Sequence, residues 1–211
     1  MEHSGAVVAV VGATGVVGQE MLRVLVQRKF PVKQLRALAS PASAGKVVSE
    51  GHLKATVQAL TPEAFDGVRF ALFSAGADIA HQWAPIAAAR GAIVIDNSSA
   101  FRNDPQVPLC VPEVNAAALA DRPKGIIANP NCSTIQLVVA LKPIHDAARI
   151  RRIVVSTYQA VSGAGARAVH ALQAQERALL TGAAVETASL KGQLAGNLLM
   201  HWKVDAVSGY Q

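Results

Sequence analysis

The stretch "VAVVGATGVVGQEMLRVL", Val8 to Leu25, decides how the fold is read. An apolar run leads straight into Gly12, Gly15 and Gly18 follow at three-residue spacing, and a helical pattern then begins. A continuous apolar run of strand length is what a parallel strand covered on both faces requires. The glycines meet three needs: a tight turn, close backbone approach to a pyrophosphate, and free amides at the positive end of a helix. The spacing G-x-x-G-x-x-G is a variant of the dinucleotide fingerprint. A bland tight turn is the competing reading. Strand, loop and amphipathic helix coincide here, so the expectation is a dinucleotide site.

Working outward, strand-length apolar runs alternate with helical patterns. Strands are predicted at Ala6–Val11, Leu35–Ala39, one or two within Lys46–Leu60, and then Val68–Ala75, Ala92–Asn97 and Gly125–Asn129. Helices are predicted at Val16–Gln27, Ile79–Arg90, Val114–Leu119 and from Ser133 to Leu141. Such alternation specifies an α/β fold, a Rossmann-type doubly wound parallel sheet. Beyond Arg149 the texture changes: Ile150–Gly163 reads as one long strand and Ala164–Leu180 as a helix, while Trp202–Gln211 carries no clear pattern. The expected division is a dinucleotide-binding domain over 1–132, followed at 133–211 by an incomplete α+β domain for dimerisation and catalysis.

The bulk properties narrow the function classes. About half of the 211 residues are apolar and the net charge is +6. The basic residues are scattered, with one tight cluster at Ala148–Arg152 and no interleaved aromatics, which argues against nucleic acid and for small anionic ligands. Cys110 and Cys132 form neither a disulfide framework nor a metal spacing, so no metal is expected and a reducing cytoplasm is the expected location. The N-terminus reads as a first strand and not as a signal peptide, and no apolar run reaches membrane-spanning length.

An NAD-type site usually carries an acid about 20 residues after the glycines. That region, "LRALASPASAGK", has none; Ser40, Ser43 and Lys46 stand there and suit a 2′-phosphate, or form an ordinary polar turn.

In "ANPNCSTIQLVVALKPI", Cys132 follows Asn-Pro-Asn at or next to a helix start. A helix N-terminus favours a thiolate, which is a nucleophile's setting. A lone cysteine is as readily a small buried hydrophobe. Cys110 has no such setting and reads as structural.

The segments "VGATGVVGQEML", "IDNSSAFRNDPQVPLCVPEVN", "NPNCSTIQLVVALKPI" and "VSTYQAVSGAG" resemble, in order and spacing, those of the aspartate-β-semialdehyde dehydrogenase family, from about Val7 to Gly165. Asn131 before the cysteine distinguishes this pattern from the related N-acetyl-γ-glutamyl-phosphate reductases, which usually carry Gly there. The resemblance implies roles. Cys132 attacks the carbonyl to form a thioacyl enzyme, Gln159 positions substrate, Arg102 binds the phosphoryl group, and Asn131 is a hydrogen-bonding neighbour of the thiol. Gly12, Thr14, Gly15 and Val17 line the cofactor, with Ser40, Ser43, Ser74, Gly76 and Asn97 as outer contacts. Ser162 and Gly163 lie where the nicotinamide approaches. The implied reaction is NADP-dependent reduction of β-aspartyl phosphate to aspartate semialdehyde and phosphate, carried out by a homodimer.

Two features depart from the family. Ala42 replaces the usual arginine of the NADP-binding turn. The sequence ends at Gln211, ahead of the family's glutamate, carboxylate-binding arginine and general-base histidine, so a C-terminally short form is expected. His145, His170 and His201 stand in no such setting. Two further readings follow: an NADP-binding module without turnover, and another acyl-phosphate reductase using the same cysteine.

Overall fold

In the computed structural model, which describes residues 5–199, six strands hydrogen-bond into one sheet. They are β1 (Ala6–Val11), β2 (Val32–Ala39), β5 (Gln58–Ala59), β6 (Phe70–Phe73), β7 (Ile93–Asp96) and β8 (Ile126–Ala128). Their order is β5-β2-β1-β6-β7-β8, and every pairing is parallel. The chain moves outward from β1 on one side and then returns to build the other side from β6. The order therefore reverses between β1 and β6, the place where open α/β sheets hold ligands.

Alternation along β1 explains its unbroken apolar sequence. Ala9 and Val11 face a core that includes Phe65, Phe73, Ala80, Ala84 and Ala87. Val10 faces the opposite core with Leu22, Leu35, Ala37, Val48 and Leu53. Both faces of the strand are thus covered, by helix α2 (Ala77–Ala89) on one side and helix α1 (Val16–Gln27) on the other. Gly18, Leu22 and Leu25 fall on the inner side of α1 at helical spacing, the first two fully buried.

The Lys46–Leu60 segment departs from a simple parallel reading. It forms an antiparallel hairpin, β3 (Val47–Glu50) with β4 (Leu53–Thr56), and then the two-residue β5 on the sheet edge. Glycine drives the turn: Gly51 has φ 52°. The strand β2 also begins three residues earlier than its apolar run, at Val32. The region predicted as a helix at Val114–Leu119 is a single turn, α3 (Pro112–Asn115), continued by a 3-10 turn at Ala116–Ala120.

Helix α4 (Cys132–Ala148) starts at the cysteine and runs seven residues past Leu141, through Pro143. The long strand expected over Ile150–Gly163 does not form: residues 150–160 belong to no helix or strand, and a 3-10 turn follows at Val161–Ala164. A strand exists only as part of a ladder, and among the described residues none pairs with this segment. Its apolar side chains are accordingly exposed, Val154 at 82% and Tyr158 at 80%. The chain divides into two compact units, residues 1–158 and 159–211. Within the second, helix α5 (Ala166–Thr181) is organised around Gln175, which is 2% exposed. Its amide donates to the carbonyls of Glu186 (2.7 Å) and Gly192 (3.0 Å), and its carbonyl accepts from the amides of Leu194 (2.8 Å) and Ala195 (3.1 Å).

Candidate functional site

In a parallel sheet every strand ends on the same edge, so the loops after β1, β2, β6, β7 and β8 gather there. The glycine loop is fixed first. The Gly12 and Ala13 amides donate to the Leu38 carbonyl at 2.8 and 3.2 Å, and the Ser74 amide donates to the Val11 carbonyl at 2.9 Å. Gly12 has φ 88°, and a Cβ there would stand 2.5 Å from the Ser74 carbonyl oxygen. A Cβ on Gly18 would stand 2.1 Å from the Gly12 carbonyl oxygen. Glycine is thus required at both positions, one for the turn and one for seating α1 against it. Gly15 precedes α1 with ordinary extended angles, and the first-turn amides of α1 have no helical acceptor. These are the features a pyrophosphate needs, so the loop fits a dinucleotide. Thr14 is exposed and Val17 half-buried beside it.

The other residues named from the sequence lie along the same edge. Ser40 and Ser43 flank the turn after β2, where the Ser43 amide donates to the Ser40 carbonyl at 2.9 Å. Ser74 follows β6 and Gly76 precedes α2. Asn97 follows β7, its amide donating to the Phe73 carbonyl at 2.9 Å. Ala42 and Lys46 are exposed on the β2 turn.

Beyond β7 and β8 lies the chemistry-bearing corner. Asn131 caps α4: its side-chain oxygen accepts from the Ser133 amide at 3.0 Å, the Thr134 amide at 3.4 Å and the Ser133 hydroxyl at 2.6 Å. Cys132 is therefore the first residue of a capped helix and is exposed. The Arg102 Nε donates to the Asn129 carbonyl at 3.0 Å and one Nη to the Asn97 carbonyl at 3.4 Å. Asn129 in turn donates its side-chain amide to the Asn97 side-chain oxygen at 2.7 Å and its backbone amide to the Asp96 carbonyl at 2.8 Å. Partial burial pulls the Arg102 guanidinium below its ordinary pKa, while the neighbouring Asp96 and Cys132 act in the other direction. The arginine thus lies within electrostatic reach of the cysteine.

Three residues of this corner carry no prediction from sequence: Asp96, Ser98 and Asn129. Asp96 is 0% exposed, and its carboxylate accepts from the Ser98 amide at 3.0 Å and the Ser98 hydroxyl at 2.8 Å. An acid at the end of an apolar strand, followed two residues later by serine, is the available signal for such a turn. Cys110 is buried, and burial, with Glu113 adding to it, pushes its thiol pKa up. Gln159, Ser162 and Gly163 belong to the second unit, where Gln159 precedes the turn that holds the other two. Among the described residues no cluster of His, Cys, Asp or Glu is arranged to hold a metal, and no helix is long and apolar enough to cross a membrane. His201 lies outside the described residues.

A parallel sheet with a glycine loop at its switch point, and a capped cysteine further along the same edge, defines a nucleotide-binding fold bearing a nucleophile's setting. Comparison with known proteins narrows this. Residues 7–122 match the family described as "Semialdehyde dehydrogenase, NAD binding domain", and residues 141–209 its "dimerisation domain". The aspartate-semialdehyde dehydrogenase of Aquifex aeolicus is 54% identical over 206 residues, 96% of this chain and 61% of the relative. That of Bacillus subtilis is 54% identical over 182 residues, 86% of this chain and 52% of the relative. The crystal structure of aspartate semialdehyde dehydrogenase II from Vibrio cholerae complexed with ASA superposes with a TM-score of 0.88 at 50% identity, covering 92% of this chain and 58% of that one. The Candida albicans enzyme with NADP matches at a TM-score of 0.60 and 28% identity, over 70% of this chain and 48% of that one. The chain belongs to the semialdehyde dehydrogenase family, and residues 7–122 correspond to that family's NAD-binding domain. It spans between about half and three fifths of the length of these relatives.

Proposed function

We propose that this chain carries the nucleophile and phosphate-binding parts of an NADP-dependent aspartate-semialdehyde dehydrogenase. The observation that carries the reading is the pairing of a capped-helix cysteine, Cys132, with a guanidinium, Arg102, held by the same β7–β8 edge. The Cys132 thiolate attacks the acyl carbon of β-aspartyl phosphate. A carbon–sulfur bond forms, the carbon–oxygen bond to phosphate breaks, and Arg102 holds the departing dianion through its unused donors. The reduced nicotinamide supplies the hydride when bound. Collapse of the tetrahedral adduct breaks the carbon–sulfur bond, frees the aldehyde and returns the thiolate. Asn131 keeps the cysteine at the head of α4, and Gln159 orients the substrate.

Gly12, Thr14, Gly15 and Val17 hold the pyrophosphate side of the cofactor, with Ser74, Gly76 and Asn97 further along the edge. Ser162 and Gly163 serve its nicotinamide end. Ser40, Ser43 and Lys46, in a turn without an acid, support NADP over NAD. We assign 1–132 to cofactor binding and 133–211 to catalysis and dimerisation. The match to a dimerisation domain supports a homodimer, and a reducing cytoplasm would keep Cys132 outside any disulfide.

The test is NADP⁺ reduction by the purified chain with aspartate semialdehyde and phosphate, beside Cys132→Ala. Phosphate-dependent turnover that disappears in the variant is the expected result, with an acyl adduct on Cys132 by intact mass. Cofactor binding without turnover or adduct would reduce the chain to a nucleotide-binding module.

A further inference from the structure

The buried carboxylate of Asp96 has no place in the steps above, yet it begins the loop that carries the arginine they use and acts on it electrostatically. Burying a carboxylate costs several kcal/mol unless its oxygens are satisfied, so one at 0% exposure is retained for a reason that its partners reveal. Both oxygens are taken by Ser98, one by its amide at 3.0 Å and one by its hydroxyl at 2.8 Å. The Ser98 hydroxyl oxygen then accepts from the Ala100 amide at 3.1 Å. Two nested side-chain turns thus shape the chain from Asp96 to Ala100, and Arg102 follows two residues later. The arginine closes the loop by donating back to the carbonyls of Asn97 and Asn129.

No salt bridge joins Arg102 to a carboxylate among the described residues. That separates two ways of holding an arginine. A carboxylate pair would occupy the guanidinium fork and neutralise its charge. Neutral carbonyls fix Nε and one Nη while leaving the positive charge and the remaining donors free for an anion. Asp96 acts at one remove: it sets the loop that aims the guanidinium without competing for its donors.

We propose that Asp96, through Ser98, is a positioning residue for Arg102, holding the guanidinium so that its free donors face an oxyanion beside Cys132. The proposal rests on the reading that Arg102 serves an anion at the cysteine. The role proposed is to hold the loop by hydrogen bonds, so the isosteric Asp96→Asn keeps it. The amide Oδ1 still accepts from the Ser98 amide, and Nδ2 donates to the Ser98 hydroxyl oxygen once the half-buried hydroxyl turns its proton away. Asp96→Ala and Ser98→Ala release the loop.

The experiment compares alkylation of Cys132 by iodoacetate and by iodoacetamide, which differ in charge at nearly equal size. Their rate ratio reports the cation facing the thiol and needs neither turnover nor cofactor. Arg102→Gln is expected to lower the ratio about three- to tenfold, the scale of one partly screened charge. Asp96→Ala and Ser98→Ala are expected to lower it by a similar factor and Asp96→Asn to restore it. Should Asp96→Ala fail to fold, Ser98→Ala alone decides, since it removes one half-buried hydroxyl. Folded Asp96→Ala or Ser98→Ala at the wild-type ratio would overturn the proposal while leaving Arg102's role intact. A ratio that rises in both Asp96→Ala and Asp96→Asn would overturn it in favour of a counter-charge role. An unchanged ratio in Arg102→Gln would remove the functional reading itself, and the proposal with it.

Discussion

Gly18→Ala sets two physical rules against each other, and the geometry decides between them. Gly18 lies in the first turn of α1, where alanine in place of glycine is worth up to about 1 kcal/mol in helix propensity. Its φ lies outside the left-handed region, so the backbone raises no objection. The added Cβ, however, would stand 2.1 Å from the Gly12 carbonyl oxygen, 2.9 Å from its carbon and 3.0 Å from the Ala13 Cα. An ordinary carbon–oxygen contact is about 3.3 Å or longer, so loop and helix must part by roughly 1 Å, and every atom met is backbone. Overpacking of this kind costs about 1–3 kcal/mol, and an approach of 2.1 Å to backbone belongs at the upper end, so after the propensity gain a net loss of about 2 kcal/mol remains. The displaced carbonyl belongs to the loop proposed above to face the pyrophosphate, so cofactor binding should suffer more than stability, by about tenfold or more. Gly15→Ala is the internal control. Its Cβ would meet the Gly12 oxygen at 3.3 Å with φ −80°, which demands little adjustment. Urea denaturation and titration of NADPH fluorescence measure both quantities. A Gly18→Ala chain as stable and as tight-binding as the wild type would refute the packing argument.

Three further outcomes follow from the geometry. Asn131→Ala removes an oxygen that accepts from Ser133 and Thr134, and should cost about 1 kcal/mol in urea denaturation while slowing Cys132 alkylation. Gln175→Ala leaves two carbonyls and two amides of the second unit without their partner; a loss of about 2–4 kcal/mol, read as earlier proteolysis within 159–199, is expected after partial rehydration. With Ile153, Val154, Val155 and Tyr158 exposed in succession, the isolated chain should associate as its concentration rises in sedimentation velocity, and a monomer throughout would contradict this.

The parallel strands of the first 130 residues were legible because such a sheet writes itself as apolar runs, whereas the Lys46–Leu60 hairpin and the turns at Pro112–Ala120 were not. Val8–Val11 is buried on both faces, so its sequence shows no polar interruption to misread. The glycine loop was legible for a related reason, since the backbone approaches that require Gly12 and Gly18 admit no other residue. Ile150–Gly163 failed on a different ground. Its β-branched run meets every local criterion for a strand, but a strand is a property of two segments, and among the described residues this one has no partner. Asp96 was missed because local signals report burial of apolar groups; a carboxylate satisfied by the next serine but one leaves a sequence trace shared with any surface turn.

What brings Arg102 to the cysteine is the register of two short strands. Asp96 stands opposite Ala128 in the β7–β8 ladder, so the next rung places Asn97 beside Asn129. Those two asparagines join at 2.7 Å, and their carbonyls are the two acceptors that hold the arginine. Two residues after Asn129 stands Asn131, which caps the helix headed by Cys132. A slip of one residue in this pairing would turn Ile126 and Ala128 out of the core and Asn129 away from Asn97. The cost of exposing Ile126, 1% accessible in the native register, is about 2 kcal/mol, and it opposes any such slip. The apolar core thus steadies the pairing that holds the guanidinium on the edge where α4 begins. Substitutions that loosen β8, such as Ile126→Ala, should lower the iodoacetate-to-iodoacetamide ratio at Cys132 even though Ile126 touches neither group. If that ratio held while urea denaturation showed the expected loss of stability, the arginine would owe its place to the loop alone and not to the ladder beneath it.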